Sequence, residues 1–349
     1  MSVRVGINAI PVGRADLDFV VEAERLGVDS VWVPEFWGYD AFTPLAALAP
    51  MTERIRLATG IVQLGARSPA SLAMTAMSLQ AMSGGRFILG LGVSGPQVME
   101  GWHGVRFTKP VTRTRETIEI IRMVAAGERL RYDGDVYQLP LPDGDGKAIR
   151  SIAAPVEIPI YLASLGPANL RLTGELADGW IGNSFFAATA DVFFDQIAAG
   201  AATVDRSVAD VEMTVAASLE FAIDDEHAAV LARTHADGYA FTFGAMGSST
   251  TNFYNQAFER QGYGDDVREV ERLWRAGDRA AAAARVPLEI GRGTNLIGTD
   301  QQILDQLRAY AAAGVSTLRI TLPDGSADER LAALERLLDL AGQANAAAV

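Results

Sequence analysis

The sequence contains no cysteine among its 349 residues. This absence excludes disulfides, thiolate zinc sites, iron–sulfur clusters and a thiol nucleophile. Histidine is nearly as scarce, because His103, His227 and His235 are the whole set and none stands at metal-ligand spacing from another. A calcium-loop pattern is also missing. We therefore expect no metal site.

Basic residues are few, with 30 Lys and Arg against 43 Asp and Glu, a net charge of -13. A nucleic-acid partner is not expected, because such proteins carry a broad basic surface. No apolar run reaches the ~20 residues that a membrane span needs, and the N-terminus lacks a signal-peptide profile. We therefore expect a soluble, cytoplasmic protein without a membrane partner.

The composition is that of a globular protein, with 49% hydrophobic and 21% charged residues. At ~150 residues per domain the length suggests two domains, but one α/β barrel with insertions fits equally well. Short apolar segments predict eight strands separated by helical stretches: 3–8, 30–34, 55–62, 87–92, 158–162, 179–182, 212–221 and 316–322. This alternation predicts an α/β fold, a closed (β/α)8 TIM barrel, with a doubly wound open sheet as the alternative.

Local signals mark several helix ends. Gly27, Gly179 and Gly314 each stand between a helical pattern and an apolar strand, where a left-handed helix cap is expected. Ser68 followed by proline predicts a helix start. Thr299 and Gln302 have the spacing of a capping box.

Two segments interrupt the alternation within what we interpret as one domain over residues 1–349. Residues 129–155 are rich in Gly, Asp and Pro and predict a hairpin or similar excursion. Residues 238–287 combine aromatic residues with an alanine run. Barrel insertions of this size serve as lids, subunit contacts or packing appendages, and the sequence leaves these alternatives open.

A glycine-rich turn follows the fourth predicted strand. Gly90, Gly92 and Gly95 match G-x-G-x-x-G, but Pro96 and Gly101 would break the long helix that a dinucleotide fingerprint requires. Such a turn can still cradle an anion with its backbone N–H groups. The basic residues that follow, Lys109, Arg113 and Arg115, are expected either to meet an anionic ligand or to form a solvated helix start.

Polar and aromatic residues follow the ends of other predicted strands, where barrel enzymes place their sites. Asn8, Glu35 and Trp37 occupy such positions, whereas Trp32 points to the opposite face and is expected in the core. No G-x-S-x-G motif or triad is present. With metal, thiol and triad absent, a bound cofactor is expected to carry the chemistry.

The chain resembles the luciferase-like flavin- and deazaflavin-dependent oxidoreductases, specifically the branch that uses coenzyme F420. The resemblance runs from about Val3 to Leu338. In motif it is nearest to the methylene-tetrahydromethanopterin reductases. The segments that carry it are 23–33 (AERLGVDSVWV), 59–61 (TGI), 85–98 (GRFILGLGVSGPQV), 159–167 (PIYLASLGP), 177–180 (ADGW) and 298–300 (GTD).

The resemblance implies a TIM barrel with the F420 ring over its mouth and a non-prolyl cis peptide at Gly60–Ile61. It also implies a set of cofactor-binding residues, namely Asn8, Gly60, Ile61, Ser94, Gly95, Ser164, Leu165, Gly166 and Asn183. Glu35 and His103 are the candidate catalytic groups. Trp37, Glu100 and Trp102 are the candidate substrate-pocket residues.

Three departures from the family pattern keep the substrate open. Sugar-phosphate dehydrogenases of the family carry Asp-His where this chain has Glu35-Phe36, and a Glu where it has Pro96. The pterin reductases carry a Glu at the position of Asn8. We therefore expect hydride transfer between F420 and a small molecule, which could be a C1-pterin, an alcohol or ketone, or an activated alkene.

Two alternatives remain. The first is an FMN-dependent monooxygenase on the same fold, and the second is a non-catalytic protein that binds F420 or flavin. The family resemblance further implies a homodimer.

Overall fold

The computed structural model describes residues 2–246 and 252–346. Within them lie twelve strands: β1 Arg4–Asn8, β2 Ser30–Val33, β3 Arg56–Thr59, β4 Val62–Gln63, β5 Phe87–Gly92, β6 Tyr132–Asp133, β7 Gln138–Leu139, β8 Ile160–Ala163, β9 Gly179–Gly182, β10 Glu212–Phe221, β11 Leu296–Gly298 and β12 Thr317–Thr321.

Eight of these strands close into a parallel barrel in the order β1, β2, β3, β5, β8, β9, β10, β12 and back to β1. The predicted (β/α)8 barrel is therefore confirmed, and the open sheet is excluded. Because the strands are parallel, their carboxyl ends form one mouth, where such barrels carry their sites.

Helices connect the strands and surround the barrel. They are α1 Arg14–Leu26, α2 Phe42–Leu48, α3 Pro69–Met82, α4 Pro96–Gly101, α5 Pro110–Ala125, α6 Pro167–Leu176, α7 Asp191–Ala202, α8 Asp225–Ala245, α9 Phe253–Phe258, α10 Gly264–Arg275, α11 Arg279–Arg285, α12 Leu288–Gly293, α13 Asp300–Ala313 and α14 Ala327–Ala346. None of the helices in the described ranges is both long and apolar enough to cross a membrane.

Most predicted helix boundaries are confirmed. Ser68 caps α3 by accepting a hydrogen bond from the Ser71 amide, and Thr299 and Gln302 form the capping box of α13. Gly27 and Gly314 adopt the left-handed conformation, with φ of 106° and 96°. The prediction for Gly179 is wrong, because this residue begins β9 and lets the Tyr161 ring approach where a Cβ would stand.

The core has two layers. A large apolar cluster fills the space between strands and helices, and a smaller one inside the barrel consists of Trp32, Ala58, Ile88, Tyr161 and Ile181. Trp32 is fully buried in this inner cluster, as predicted. The inner cluster lies beneath the mouth, where Ile61 and Ala163 pack against it.

Charged residues close the opposite end of the barrel. Glu212 at the start of β10 pairs with Arg4 at 2.7 Å and with Arg56 at 3.0 Å, and it accepts a hydrogen bond from Thr317 at 2.8 Å. Arg56 also pairs with Asp29. These contacts join the first residues of β1, β3, β10 and β12, so we call them the base network.

Both irregular segments contain regular secondary structure in their described residues. Residues 129–155 contain the antiparallel pair β6–β7, which confirms the hairpin. The second segment is a helical insertion that begins earlier than predicted, because α8 starts at Asp225 with Asp224 as its N-cap. Helices α8 to α12 have an apolar core of their own, made by residues such as Phe243, Phe258 and Val270. The predicted alanine-rich part forms α11.

Candidate functional site

The mouth is irregular where the third predicted strand breaks into β3 and β4. The peptide bond between Gly60 and Ile61 in this break is cis, as the family resemblance implies. The break is held on both sides: the Gly60 amide donates to the Val33 carbonyl at 2.8 Å, and the Glu35 amide donates to the Ile61 carbonyl at 3.1 Å. Gly60 and Ile61 thus lie at the edge of the mouth.

An apolar floor lies beside this break. A Cβ built on Gly92 would stand 2.8 Å from the Ile61 methyl and 3.4 Å from Ala163, so the glycine lets these side chains close together. Gly60 packs over Trp32, and a Cβ built on Gly60 would stand 3.2 Å from the Trp32 Cβ. The result is an apolar surface made by β3, β5 and β8, which suits a planar ring system.

Arg319 lies beneath the mouth on β12 and was not identified from the sequence. It is 2% exposed, and its guanidinium donates to the Gly182 carbonyl at 2.9 Å and to the Asn183 side-chain oxygen at 3.4 Å. The guanidinium also lies 5.4 Å from the Trp32 ring centre. Burial lowers the pKa of Arg319 to about 10, and its Nε has no partner in the described part of the chain.

Glu35 is held in a structural ion pair. Its two carboxylate oxygens each accept a hydrogen bond from Arg67 at 2.8 Å, and the Ala41 amide donates to the same carboxylate at 3.2 Å. The Glu35 side chain is 6% exposed. Its carboxylate therefore fixes the loop after β2, and the 32-residue separation of Glu35 and Arg67 explains why the sequence alone does not predict this pair.

His103 is tied to the same loop through Gln63. The His103 Nε2 lies 2.8 Å from the Gln63 side-chain oxygen, and the Gln63 amide donates to the Glu35 carbonyl at 2.9 Å. Because an amide oxygen only accepts, His103 Nε2 must carry a proton. In the neutral ring, Nδ1 is then the basic nitrogen.

The two predicted cofactor loops flank the floor. Ser94 has φ of 57°, and a Cβ on Gly95 would meet Gln97 alone, at 3.3 Å. The Ser164 hydroxyl, in contrast, is buried and bonded to Thr173 at 2.8 Å. Its side chain faces α6, and the carbonyls of this loop accept hydrogen bonds from Trp180, Arg260 and Leu170. The backbone amides of Ser164, Leu165 and Gly166 are therefore what remains available for a ligand.

The predicted anion-binding role of the basic stretch at 109–115 is not supported by the geometry. Lys109 pairs with Asp135, and Arg115 forms a close pair with Glu175. Arg113 bonds the Tyr137 hydroxyl at 3.2 Å and lies over its ring. The charges of Lys109 and Arg115 are thus balanced by carboxylates of this chain.

A different cation lies at the second loop. Arg260, in the helical insertion, donates from Nη2 to the Leu165 carbonyl at 2.6 Å, and its Nε is buried without a partner in the described residues. No carboxylate in those residues forms an ion pair with it, because the adjacent Glu259, whose charge acts on Arg260, pairs with Arg268 at 3.5 Å. Arg260 therefore brings an unbalanced positive charge to the Ser164–Gly166 loop.

A cleft of about 260 Å³ opens on the other side of the mouth. It is bounded by the carboxyl ends of β9, β10 and β12 and by the helical insertion. Its described lining residues are Asn183, Ser184, Ala216, Ala217, Ser218, Tyr239, Thr242, Tyr254, Thr294, Asn295 and Thr321. Asn8 lies next to it, because its amide donates to the Thr321 hydroxyl at 3.2 Å.

The predicted substrate-pocket residues do not line this cleft. Trp37 and Trp102 are 65% and 64% exposed. Glu100 accepts a hydrogen bond from the Phe107 amide at 3.0 Å. Their role in substrate binding stays a prediction.

The arrangement is suited to holding ligands rather than to covalent catalysis. His235 pairs with Glu220 at 3.3 Å, and His103 is bonded to Gln63, so within the described residues neither histidine contacts a hydroxyl nucleophile. The mouth instead offers an apolar floor, two loops with available backbone amides and an uncharged cleft. Such a site can position a planar cofactor against a second molecule.

Comparison with known proteins agrees with this reading. The model of the family described as luciferase-like monooxygenase matches residues 4–317. A Mycobacterium tuberculosis protein named a coenzyme F420-dependent oxidoreductase is 39% identical over 93% of this chain and 94% of its own length. The 5,10-methylenetetrahydromethanopterin reductase of Archaeoglobus fulgidus is 28% identical over 92% of this chain and 94% of its own.

A solved structure shares the fold. The coenzyme F420-dependent tetrahydromethanopterin reductase from Methanopyrus kandleri superimposes with a TM-score of 0.76 at 22% identity, covering 97% of both chains. The barrel, the irregular mouth and these matches lead to one conclusion: the chain belongs to the luciferase-like family of oxidoreductases.

Proposed function

We propose that this protein is a coenzyme F420-dependent oxidoreductase that transfers a hydride between the deazaflavin ring and a small organic substrate. The observation that carries the proposal is the apolar floor of Ile61 and Ala163, packed over Trp32 at the mouth of the barrel. Extended similarity to a protein named for this cofactor supports it.

The residues present fit this cofactor in shape and charge. A tricyclic ring requires a flat apolar surface, which the floor supplies, and its phosphate-bearing tail requires donors and positive charge. The backbone at Gly166 has open space where a side chain would stand, and at Gly95 a Cβ would meet only the Gln97 side-chain oxygen, at 3.3 Å. Arg260 adds an unbalanced cation beside Leu165.

When bound, the deazaflavin supplies the carbon atom that gives or accepts the hydride. The protein's own contribution is to hold that carbon against the substrate and to keep water away. Ile61 and Ala163 support the ring, and the helical insertion covers the side of the cleft. Arg319 places a positive charge beneath the mouth. This charge would stabilise the negative charge that develops on the deazaflavin ring when the ring is reduced.

Fluorescence titration of the purified protein with F420, and separately with FMN in both redox states, tests the proposal. We expect F420 to bind at least roughly tenfold more tightly than either form of FMN. Preference for reduced FMN would instead assign the protein to the oxygen-dependent branch of the family. Tight F420 binding without turnover of any substrate would favour a non-catalytic binding protein.

A further inference from the structure

We infer that the buried guanidinium of Arg319 makes this site bind reduced F420 more tightly than oxidised F420. The bound cofactor is then a stronger hydride acceptor than the free one. The inference rests on the proposed function, because it concerns the redox state of the same cofactor. It makes Arg319 the residue that discriminates between the two redox states.

Arg319 points into the barrel just below the floor. Its neighbours Leu318 and Ile320 belong to the outer core, and side chains alternate along a strand, so Arg319 faces the barrel axis. Its guanidinium lies 5.4 Å from the centre of the Trp32 ring, and Gly60 packs over the same tryptophan. The Trp32 side chain thus contacts both the cation and the edge of the mouth.

The hydrogen bonds of Arg319 hold it there without neutralising it. Its Nη2 donates to the Gly182 carbonyl at 2.9 Å and to the Asn183 side-chain oxygen at 3.4 Å, at the carboxyl end of β9. The Asn8 side-chain amide donates to the main-chain carbonyl of Arg319 at 3.1 Å, at the end of β1. Because both acceptors of the guanidinium are neutral, these contacts orient the charge and leave it in full.

The described part of the chain does not balance this charge. Arg67, near the same end of the barrel, has a raised pKa because it is hydrogen-bonded to Glu35. Burial instead lowers the pKa of Arg319 to about 10. No carboxylate of the described residues forms an ion pair with Arg319, and its buried Nε has no partner there. With so little water around it, such a cation acts strongly on a nearby charge.

Reduction of the cofactor brings negative charge toward this cation. The substrate loses a hydrogen with its electron pair to the cofactor and a proton to water, so the substrate is oxidised and the cofactor is reduced. A hydride carries one unit of negative charge, which stays on the ring until a proton follows. A fixed cation beneath the ring therefore lowers the free energy of the reduced state more than that of the oxidised state.

Arg260 provides a comparison within the same site. It donates to the Leu165 carbonyl, on the loop predicted to hold the phosphate-bearing tail of the cofactor. The charge of that tail does not change when the ring is reduced. Loss of Arg260 should therefore weaken both redox states equally, whereas loss of Arg319 should weaken the reduced state selectively.

Calorimetric titration of the purified protein with oxidised F420, and anaerobically with chemically reduced F420, tests the inference. We expect the wild type to bind reduced F420 at least roughly tenfold more tightly. This ratio makes the reduction potential of bound F420 about 30 mV more positive than that of free F420, a two-electron couple. Equal affinities, or tighter binding of oxidised F420, would overturn the inference and leave the cofactor assignment intact. If neither form binds, the proposed function itself fails.

Two variants locate the effect. We expect Arg319→Met to raise the Kd of reduced F420 roughly tenfold and to change the Kd of oxidised F420 by less than about threefold. Arg260→Gln should raise both Kd values by the same factor and keep their ratio. If Arg319→Met weakens both forms alike, the guanidinium only holds the ring, and the inference is wrong.

Two further variants separate the charge of Arg319 from its hydrogen bonds, and they keep the test valid if Arg319→Met misfolds. Arg319→Gln removes the charge but retains an N–H group that can donate to the Gly182 carbonyl. Its Kd ratio should fall as in Arg319→Met. Arg319→Lys keeps the charge and should retain most of the wild-type ratio. A wild-type ratio in Arg319→Gln would show that charge does not set the redox preference.

Discussion

At the scale of single residues, Glu35 and Arg67 form a pair whose loss should weaken the fold. Glu35→Gln leaves the partly buried Arg67 guanidinium without its ion-pair partner, so that only the charge of Asp40 still acts on it. We expect the free energy of unfolding to fall by about 2–3 kcal/mol, measured by urea denaturation of the protein without cofactor. The double variant Glu35→Gln/Arg67→Gln should recover part of this loss. A Glu35→Gln protein of unchanged stability but slow turnover would instead assign the carboxyl a role in proton transfer.

Replacement of Arg319, in contrast, is expected to stabilise the fold. Its charge is buried without a carboxylate, and the cost of that burial exceeds the gain from its hydrogen bond to Gly182. Arg319→Met should therefore raise the free energy of unfolding by about 1–2 kcal/mol while lowering kcat/KM. Chemical denaturation and steady-state kinetics measure the two effects, and Arg319→Lys serves as the charge-retaining control. A less stable Arg319→Met protein would contradict this account.

Residue identity did not reveal which polar groups are free. The sequence shows a basic stretch at 109–115, but Arg115 is neutralised by Glu175, 60 residues away. The Ser164 hydroxyl is used by Thr173, nine residues on. Because these contacts depend on how α5 and α6 pack, spacing along the chain could not predict them.

At the scale of elements, strands were the most predictable. The segments 87–92, 179–182 and 212–221 agree in both ends with β5, β9 and β10. The first two are apolar runs, as expected for strands covered on both faces, and the third has an apolar centre between two glutamates. The three-residue β11 was missed because so short a segment has no readable periodicity. The start of α8 is readable in the sequence, because Asp224 is an N-cap residue followed by Asp225 and Glu226 in the first turn.

The helical insertion contributes Arg260, and a matched pair of Arg→Gln variants tests whether its charge helps to bind F420. We expect Arg260→Gln to raise the Kd of F420 roughly tenfold or more, because Arg260 is unbalanced beside the Leu165 carbonyl. Arg272→Gln is the control, since exposed Arg272 in α10 is already paired with Glu269. Fluorescence titration measures both. Equal Kd values for the two variants would remove Arg260 from the cofactor site.

At the scale of the whole molecule, the base network makes the free energy of unfolding depend on pH. Burial raises the pKa of Glu212, but the hydrogen bond and charge of Arg56 and the charge of Arg4 outweigh it, so the pKa falls from 4.5 to about 2. A carboxyl group whose pKa is lowered by folding stabilises the fold at every pH above the pKa that it has in the unfolded chain. That contribution is lost as the pH falls from about 4.5 toward 2.

Glu212→Gln should remove this dependence. We expect the wild type to lose on the order of 3 kcal/mol of unfolding free energy across that pH window through this group. The Glu212→Gln variant should start less stable at neutral pH and show a flatter profile. Urea denaturation from pH 6 to pH 2 measures the difference, and parallel profiles would show that Glu212 does not set the acid limit.

The helical insertion also bears on how this protein could be re-engineered or could have diversified. Its helices share a core of their own, yet they supply both Thr242 and Tyr254 of the cleft and Arg260 at the Leu165 loop. Exchange of this block between relatives would leave the barrel and its base network intact. We expect it to transfer one wall of the cleft and the cation beside the Leu165 loop together, as one inherited unit.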